Sequence, residues 1–276
     1  MSRLLVAFSL LVRCNALHLQ GMARPMAPAS RVRPIRCGWG PDPVWTSNKI
    51  VTITEAASGL VSLSITPPAD VADGFRTPGQ YVQIRQPGAE KAGFFAIASS
   101  PGKGGDFEFL IKEAPPSDWS PGTAWLTGAS AGTELEMSQV MGGGFKLGEE
   151  TLAQVDSIVC FAAGSGISPI RSAIESGMME GKAISLYYGA QTPEKMAYQD
   201  KFESWEKMGV TVTPVISRPE GTGWTGCTGY VQEVAEKAGF PSSCAILLCG
   251  MKGMAEAVKE LASKQGIPED KVLTNF

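Results

Sequence analysis

The chain has 276 residues, 43% of them hydrophobic and 18% charged, with a formal net charge of −3. That length allows one or two domains with a packed core, and the composition excludes a disordered or collagen-like chain. The charge is uneven: residues 1–41 hold six arginines (Arg3, Arg13, Arg24, Arg31, Arg33, Arg36) and no lysine or acid, leaving 18 bases against 27 acids beyond them, an acidic balance of −9 that speaks against a nucleic-acid partner.

Residues 1–42 read as a targeting presequence. Leu4–Val12, "LLVAFSLLV", is an apolar run of signal-peptide length, too short to span a bilayer, and "CNA" at 14–16 offers a small-residue cleavage site. The arginine-bearing, acid-free stretch after it is like an organelle transit peptide. Signal followed by transit segment matches the two-part presequence of secondary plastids and predicts a plastid destination. A simple secretory signal or a single mitochondrial or plastid peptide are the alternatives.

Residues 43–150 carry strand-like signals. "VTIT" (51–54), "LVSLSI" (60–65) and "FEFLIK" (107–112) alternate in polarity, with Val61, Leu63 and Ile65 on one face. Turns rich in Pro and Gly separate them, as in an antiparallel barrel or sandwich. Residues 151–276 change rhythm, after a polar link at 147–156. "SIVCFAA" (157–163), "AISLYYGA" (183–190), "VTVTPVI" (210–216) and "AILLCG" (245–250) are almost unbroken apolar runs, which suit parallel strands covered on both faces. Helical faces alternate with them: Ile170, Ala173, Ile174 and Met178; then Tyr198, Phe202 and Trp205 after a Thr192 cap and Pro193; then Met254, Val258 and Leu261. The expected fold is therefore a β-barrel domain followed by a doubly wound α/β domain.

Side-chain chemistry narrows the function. The one histidine, His18, lies in the presequence, so the body of the chain has no imidazole. That removes Ser–His and Cys–His nucleophilic catalysis and His-ligated metal. Cys14 and Cys37 also fall in the presequence, whereas Cys160, Cys227, Cys244 and Cys249 remain, with no C-x-x-C spacing for zinc, iron–sulfur or dithiol chemistry.

The segment "CFAAGSGISPI" (160–170) joins the first apolar run to its helix. Gly164 and Gly166 lack Cβ atoms, so a pyrophosphate could approach the backbone there. Pro169 falls in the first helical turn, where its missing N–H is no loss. The plainer reading is a tight strand–helix turn with no ligand, since a lone G-x-G is a weak signal.

Four stretches in order, "GSGISPI", "YYGAQTPEKMAYQDKF", "SRPEGTGWTGCTGYVQ" and "CGMKGM", resemble the pyridine-nucleotide half of the ferredoxin–NADP reductase superfamily. In the first half "PGQYVQI", "FFAIASSP" and "GTAWLTGASAGTELEMSQVMGGGF" resemble its flavin-barrel motifs, and the chain is most similar to the ferredoxin reductase-like fruit-protein branch of plants. The resemblance implies a Greek-key flavin barrel and an NAD(P) domain, with FAD (FMN an alternative) and NADPH (NADH an alternative) as cofactors. It implies that Gly164, Ser165, Gly166, Ile167, Ser168 and Pro169 hold the nucleotide pyrophosphate. Ser217 and Arg218 would hold a 2′-phosphate, which suits a guanidinium, and Tyr230 would pack on adenine; the plainer readings are a loop arginine and a core aromatic. Cys249, Gly250 and Met251 would lie beside the nicotinamide, with Cys249 as a packing and positioning group, and Phe276 would cover the flavin ring; the plainer readings are a buried structural cysteine and a strand-terminal Phe packing into the core.

On the flavin side the resemblance implies Tyr81, Phe95, Ala96, Ile97, Ala98 and Ser99, with Phe95 stacking on the isoalloxazine, and Gly122, Thr123 and Ala124 at the diphosphate. Here the chain departs from the family, which usually has Arg at the place of Gly93 and Ser at the place of Ala96. A lost charged phosphate contact costs about 1.5–3 kcal/mol, for which backbone N–H groups near Gly122–Ala124 or Lys91 could compensate. The resemblance thus implies a flavin-dependent NAD(P)H oxidoreductase with NAD(P)H as substrate and an unidentified electron acceptor, a small redox protein among the candidates. The alternative is a non-catalytic nucleotide-binding or regulatory protein that has lost flavin.

Overall fold

The structure is a computed structural model that describes residues 41–115, 122–241 and 243–275. The presequence reading, apart from Pro41 and Asp42, and Phe276 lie outside the described residues.

The first part is a six-stranded antiparallel sheet, in the order β4–β3–β6–β1–β2–β5. Its strands are β1 (Trp45–Ala57), β2 (Leu60–Ile65), β3 (Tyr81–Arg85), β4 (Gly93–Ala96), β5 (Phe107–Lys112) and β6 (Glu134–Ser138). The short helices α1 (Ala69–Ala72) and α2 (Thr123–Thr127) interrupt it. The open edges approach each other beyond β4, where the Ala98 N–H donates to the Glu108 carbonyl at 2.7 Å, so the sheet curls into a barrel. Inward-facing Leu63, Ile65, Val82, Ile84, Phe107, Phe109, Ile111, Leu135 and Met137 fill it. Strand β1 is longer than the alternation in "VTIT" predicts. Its polar start pairs with β6, Trp45 opposite Ser138 and Lys49 opposite Glu134, so cross-strand hydrogen bonding extends a strand that hydrophobicity does not mark.

The second part is a six-stranded parallel sheet in the order β10–β9–β8–β7–β11–β12. Its elements are α3 (Glu149–Ala153), β7 (Ser157–Ala163), α4 (Ile167–Ser176), β8 (Ala183–Ala190), α5 (Phe202–Lys207), β9 (Val210–Ile216) and β10 (Cys227–Thr228). They continue with α6 (Val231–Ala238), β11 (Cys244–Cys249), α7 (Lys252–Lys264) and β12 (Val272–Thr274). The unbroken apolar runs are explained by two cores. Ile158, Cys160 and Ala162 of β7 face α4 and α5 on one side, and Val159 and Phe161 face α6 and α7 on the other.

One expected helix is shorter than the sequence implies. After Thr192 the chain makes a 3₁₀ turn, Pro193–Lys195, then a second, Gln199–Lys201, and α5 starts only at Phe202. Between them Met196 and Ala197 turn into the core, the Ala197 N–H donates to the Tyr188 hydroxyl, and Tyr198 takes φ +61°. Tertiary packing overrides the local pattern here, although Tyr198, Phe202 and Trp205 still meet as rings 5.8–6.5 Å apart.

The barrel and the α/β layer share a core. Leu60 and Leu110 leave the barrel interior and join Phe145, Leu147, Ile167 and Ile170. Fully burying each leucine stabilises the seam by about 2 kcal/mol. Among the described residues no helix is long and apolar enough to cross a membrane.

Candidate functional site

In the parallel sheet the chain winds outward from β7 to β8 and β9, then crosses back to place β11 on the other side of β7. Ligands in such sheets bind outside the strand carboxyl ends where the winding reverses. At that reversal the structure puts Gly164–Gly166, which leave β7 as a 3₁₀ turn, and Cys249–Gly250, which leave β11. The two glycines have different tasks. Gly164 takes φ +56° with nothing within 4 Å of the place a Cβ would occupy, so its backbone is open to a ligand. Gly166 is the opposite: a Cβ there would lie 2.7 Å from the Cys249 carbonyl carbon and 2.9 Å from Gly250 Cα, and closer still to the Cys249 oxygen. It is glycine so that the loop can lie on the end of β11, which corrects the expectation that both glycines serve ligand approach.

Helix α4 begins at Ile167, so Pro169 is its third residue, still among the N–H groups without an intrahelical acceptor. Ile167, Ser168 and Pro169 have buried side chains, and the Ser168 hydroxyl donates to the Ser165 carbonyl at 2.9 Å. Only main-chain groups of these three residues, with half-buried Ser165, are available to a ligand at this turn. The buried Tyr188 hydroxyl donates to the Gly164 carbonyl at 3.3 Å and fixes the loop from beneath. Burial pushes the Cys249 thiol up to about 12, so it stays protonated at neutral pH and is no nucleophile. Met251 is exposed beside it, ahead of α7.

The expected 2′-phosphate and adenine residues come together further along the same edge. The Ser217 and Arg218 N–H groups donate to the carbonyls of Ala190 and Gln191, tying the end of β9 to that of β8. The Gly229 N–H donates to Ile216, which delivers Tyr230 to the same corner. Arg218 is exposed and Tyr230 is 58% exposed, so Tyr230 is a surface ring and not a core aromatic.

The barrel motif departs from expectation. Strand alternation turns Phe95 inward with Ile97, among Ile84, Phe109 and Leu126, whereas Phe94 is 61% exposed. Phe95 is therefore placed in the barrel core and not on a flavin face. The aromatic pair of the rim is exposed Phe94 with half-buried Tyr81, ring centroids 5.7 Å apart. Ile97 and Ala98 are fully buried, and their N–H groups are taken by Gln80 and Glu108. The Ser99 hydroxyl accepts from the Glu108 N–H, and the Ser99 carbonyl accepts from Ser172. These three residues build the barrel closure and offer a ligand little; Ala96 is half-buried at the end of β4. Gly122 and Thr123 are buried and Ala124 is half-buried at the start of α2, and a Cβ on Gly122 would lie 3.7 Å from the Gly93 nitrogen. The Phe95 ring lies across Gly93, where a Cβ would be 2.6 Å from its Cζ, so it fills the space that a longer side chain at 93 would need.

Sequence reasoning passed over Phe94, Tyr188 and Arg171. The i, i+2 pattern Gly93–Phe95–Ile97 was a usable signal for Phe94, since it sets Phe95 on the inward face. Arg171 carries one local signal, its i, i+4 spacing to Glu175, but neither its bond to Glu108 nor the Tyr188 hydroxyl's bond to Gly164 is marked by a neighbour in sequence.

The oxidoreductase NAD-binding domain family model matches residues 161–260, the segment that contains the switch-point loop, Arg218 and Cys249. A fruit protein of Actinidia deliciosa is 35% identical over 250 residues, covering 83% of this chain and 76% of that protein. The reductase component of propane 2-monooxygenase from Rhodococcus jostii is 25% identical over 233 residues, and the alignment takes in 81% of this chain but only 61% of that longer protein. Among solved structures, the ferredoxin reductase in carbazole 1,9a-dioxygenase superposes with TM-score 0.70 at 22% identity, over 84% of this chain and 69% of that one. A ferredoxin NADP+ reductase from Neisseria gonorrhoeae, with bound FAD and NADP, superposes with TM-score 0.68 at 17% identity, over 80% and 92%. These likenesses agree on a barrel followed by a parallel α/β sheet.

Proposed function

The chain belongs to the ferredoxin–NADP reductase superfamily, and from that premise we propose that it is a flavin-dependent NAD(P)H oxidoreductase passing electrons from NADPH through FAD to a further acceptor. The observation that carries the reading is the open turn at Gly164, set at the winding reversal beside Cys249–Gly250. That turn fits a nucleotide pyrophosphate: it is half-buried with open space over Gly164, and the free N–H groups at the start of α4 favour an anion. Arg218 and Ser217 would hold the 2′-phosphate of NADPH, with Tyr230 against the adenine.

The fit to a flavin is divided. Exposed Phe94 and half-buried Tyr81 give an aromatic surface for a ring, and Gly122–Ala124 would supply backbone to the diphosphate. The cation usual at position 93 is replaced by glycine, and the Phe95 ring occupies its space. When bound, flavin and nicotinamide supply the hydride chemistry themselves. What this chain contributes is alignment, exclusion of water and neutral surroundings: the described residues contain no histidine, and Cys249 remains a thiol.

Colour and reduction test this. Purified protein that is yellow and bleaches anaerobically with NADPH is expected; protein that stays colourless after incubation with FAD and with FMN refutes it. The filled space at Gly93 favours a second reading, a nucleotide-binding protein without flavin, which would bind NADP+ and remain colourless. Arg218→Ala is expected to lower the NADPH-to-NADH preference about tenfold; an unchanged ratio removes Arg218 from the 2′-phosphate. The acceptor is sought among quinone, haem and iron–sulfur compounds after anaerobic reduction, since the relative from Rhodococcus jostii is by name a reductase component. Plastid delivery rests on residues 1–42 alone; a fluorescent fusion of that segment reaching plastids supports it, and export from the cell overturns it.

A further inference from the structure

Helix α4 starts at the glycine loop and is gripped by the barrel at three points. The Ser172 hydroxyl donates to the Ser99 carbonyl at 2.7 Å. Arg171 Nη1 donates to Glu108 Oε2 on β5 at 2.5 Å. Lys103 Nζ, from the turn before β5, donates to the Glu175 carbonyl at 2.5 Å. Arg171 is only 4% exposed and uses its fork in two directions, since Nε also meets both Glu175 oxygens at 3.1 Å. Its guanidinium lies 4.8 Å from the centre of the Tyr198 ring, and Trp205 Nε1 donates to Glu175 at 3.1 Å.

Stability does not explain this network. The seam already buries Leu60, Leu110, Phe145 and Leu147 against α4 and β7. A buried ion pair is seldom more stabilising than apolar side chains of the same volume. What charge and hydrogen bonds add is direction: a leucine contact tolerates sliding, whereas a buried guanidinium forked between the partly exposed Glu108 and the Glu175 carboxylate resists it. The clamp lies five residues from Gly166, about 7.5 Å along the helix at 1.5 Å per residue. On the barrel side Ser99 lies five residues beyond Phe94. One continuous path of main chain and hydrogen bonds thus joins the exposed aromatic rim to the open glycine turn.

We propose that Arg171 and Ser172 are positioning residues that tie α4 to Glu108 and Ser99, and so fix the glycine turn against the barrel rim at the separation electron delivery requires. The proposal rests on the oxidoreductase reading. Misplacement of reacting centres by about 1 Å can lower a rate about a hundredfold without changing what binds. The clamp therefore acts on the rate at saturation and not on affinity.

The test uses Ser172→Ala and Glu108→Gln in the full chain, with Lys49→Gln at an exposed surface ion pair as control. Two measurements are made. The first, hydrogen exchange at the amides of 164–168, needs no bound cofactor; the two clamp variants are expected to exchange about tenfold faster, with the control unchanged. The second is anaerobic stopped-flow bleaching by NADPH, where the limiting rate is expected to fall about tenfold while the NADP+ dissociation constant stays within about twofold. Unchanged exchange in both clamp variants overturns the proposal, as does a shift in dissociation constant with an unchanged limiting rate. Protein that holds no flavin but exchanges faster in the variants would sink the oxidoreductase reading while leaving the clamp standing.

Discussion

Gly166→Ala separates a packing glycine from a ligand-facing one. The backbone at 166 has φ −63° and ψ −9°, which alanine adopts without strain, so any cost comes from contact. The new methyl would lie 2.7 Å from the Cys249 carbonyl carbon and 2.9 Å from Gly250 Cα. Carbon atoms rest at about 3.5–4.0 Å, so loop and strand end must part by about 1 Å. They cannot part cheaply: the atoms in the way are main chain, and β11 is buried and paired on both sides, to β7 and β12. Overpacking of this kind costs about 1–3 kcal/mol, and backbone neighbours place this case near about 3. At about 2–4 °C per kcal/mol for a fold of this size, the melting temperature should fall by about 6–12 °C. Gly164→Ala is the companion variant. Its methyl meets nothing within 4 Å, but φ is +56°, so only the left-handed penalty of about 1 kcal/mol applies. Urea and thermal unfolding rank the two, and NADP+ titration should show the larger loss per unit of stability in Gly164→Ala. If Gly166→Ala stays within about 0.5 kcal/mol of the parent, or proves milder than Gly164→Ala, the packing argument is wrong.

Gly93→Ala should destabilise by about 1–2 kcal/mol because the Phe95 ring must move off position 93. In a Phe95→Leu background that penalty should shrink, giving a coupling of about 1 kcal/mol in a double-mutant cycle; strict additivity would contradict it. Of the cysteines in the described residues, Cys227 is exposed and should react with a thiol reagent in native protein, whereas Cys160, Cys244 and Cys249 should react only on unfolding. Burial pushes Cys160 and Cys249 up to about 12 from 9.0. Between those values the unfolded chain releases protons that the native state keeps, so this stability is present below about pH 9 and is lost as pH rises towards 12. Melting temperature should fall across that window, and less steeply in Cys249→Ala; an equal slope would remove Cys249 from the account.

Much of the architecture is written in local pattern. Runs such as "SIVCFAA" lack alternation because both faces of β7 are covered, and the helical face of Met254, Val258 and Leu261 appears buried in α7 as its spacing implies. Where local pattern misled, a distant partner had intervened: β6 lengthened β1, and Tyr188 with the buried Met196 and Ala197 broke the helix expected after Pro193.

The sequence by itself determined the order of the two halves, the parallel sheet and the loop that leaves β7 at Gly164, because periodicity and turn chemistry act within a few residues of the chain. Only the tertiary structure decided that Gly166 is there for Cys249, that Phe95 turns inward and Phe94 outward, and that Arg171 spans to Glu108. Each of those is a contact between segments far apart in sequence, where the available volume is set by a neighbour that no local pattern names.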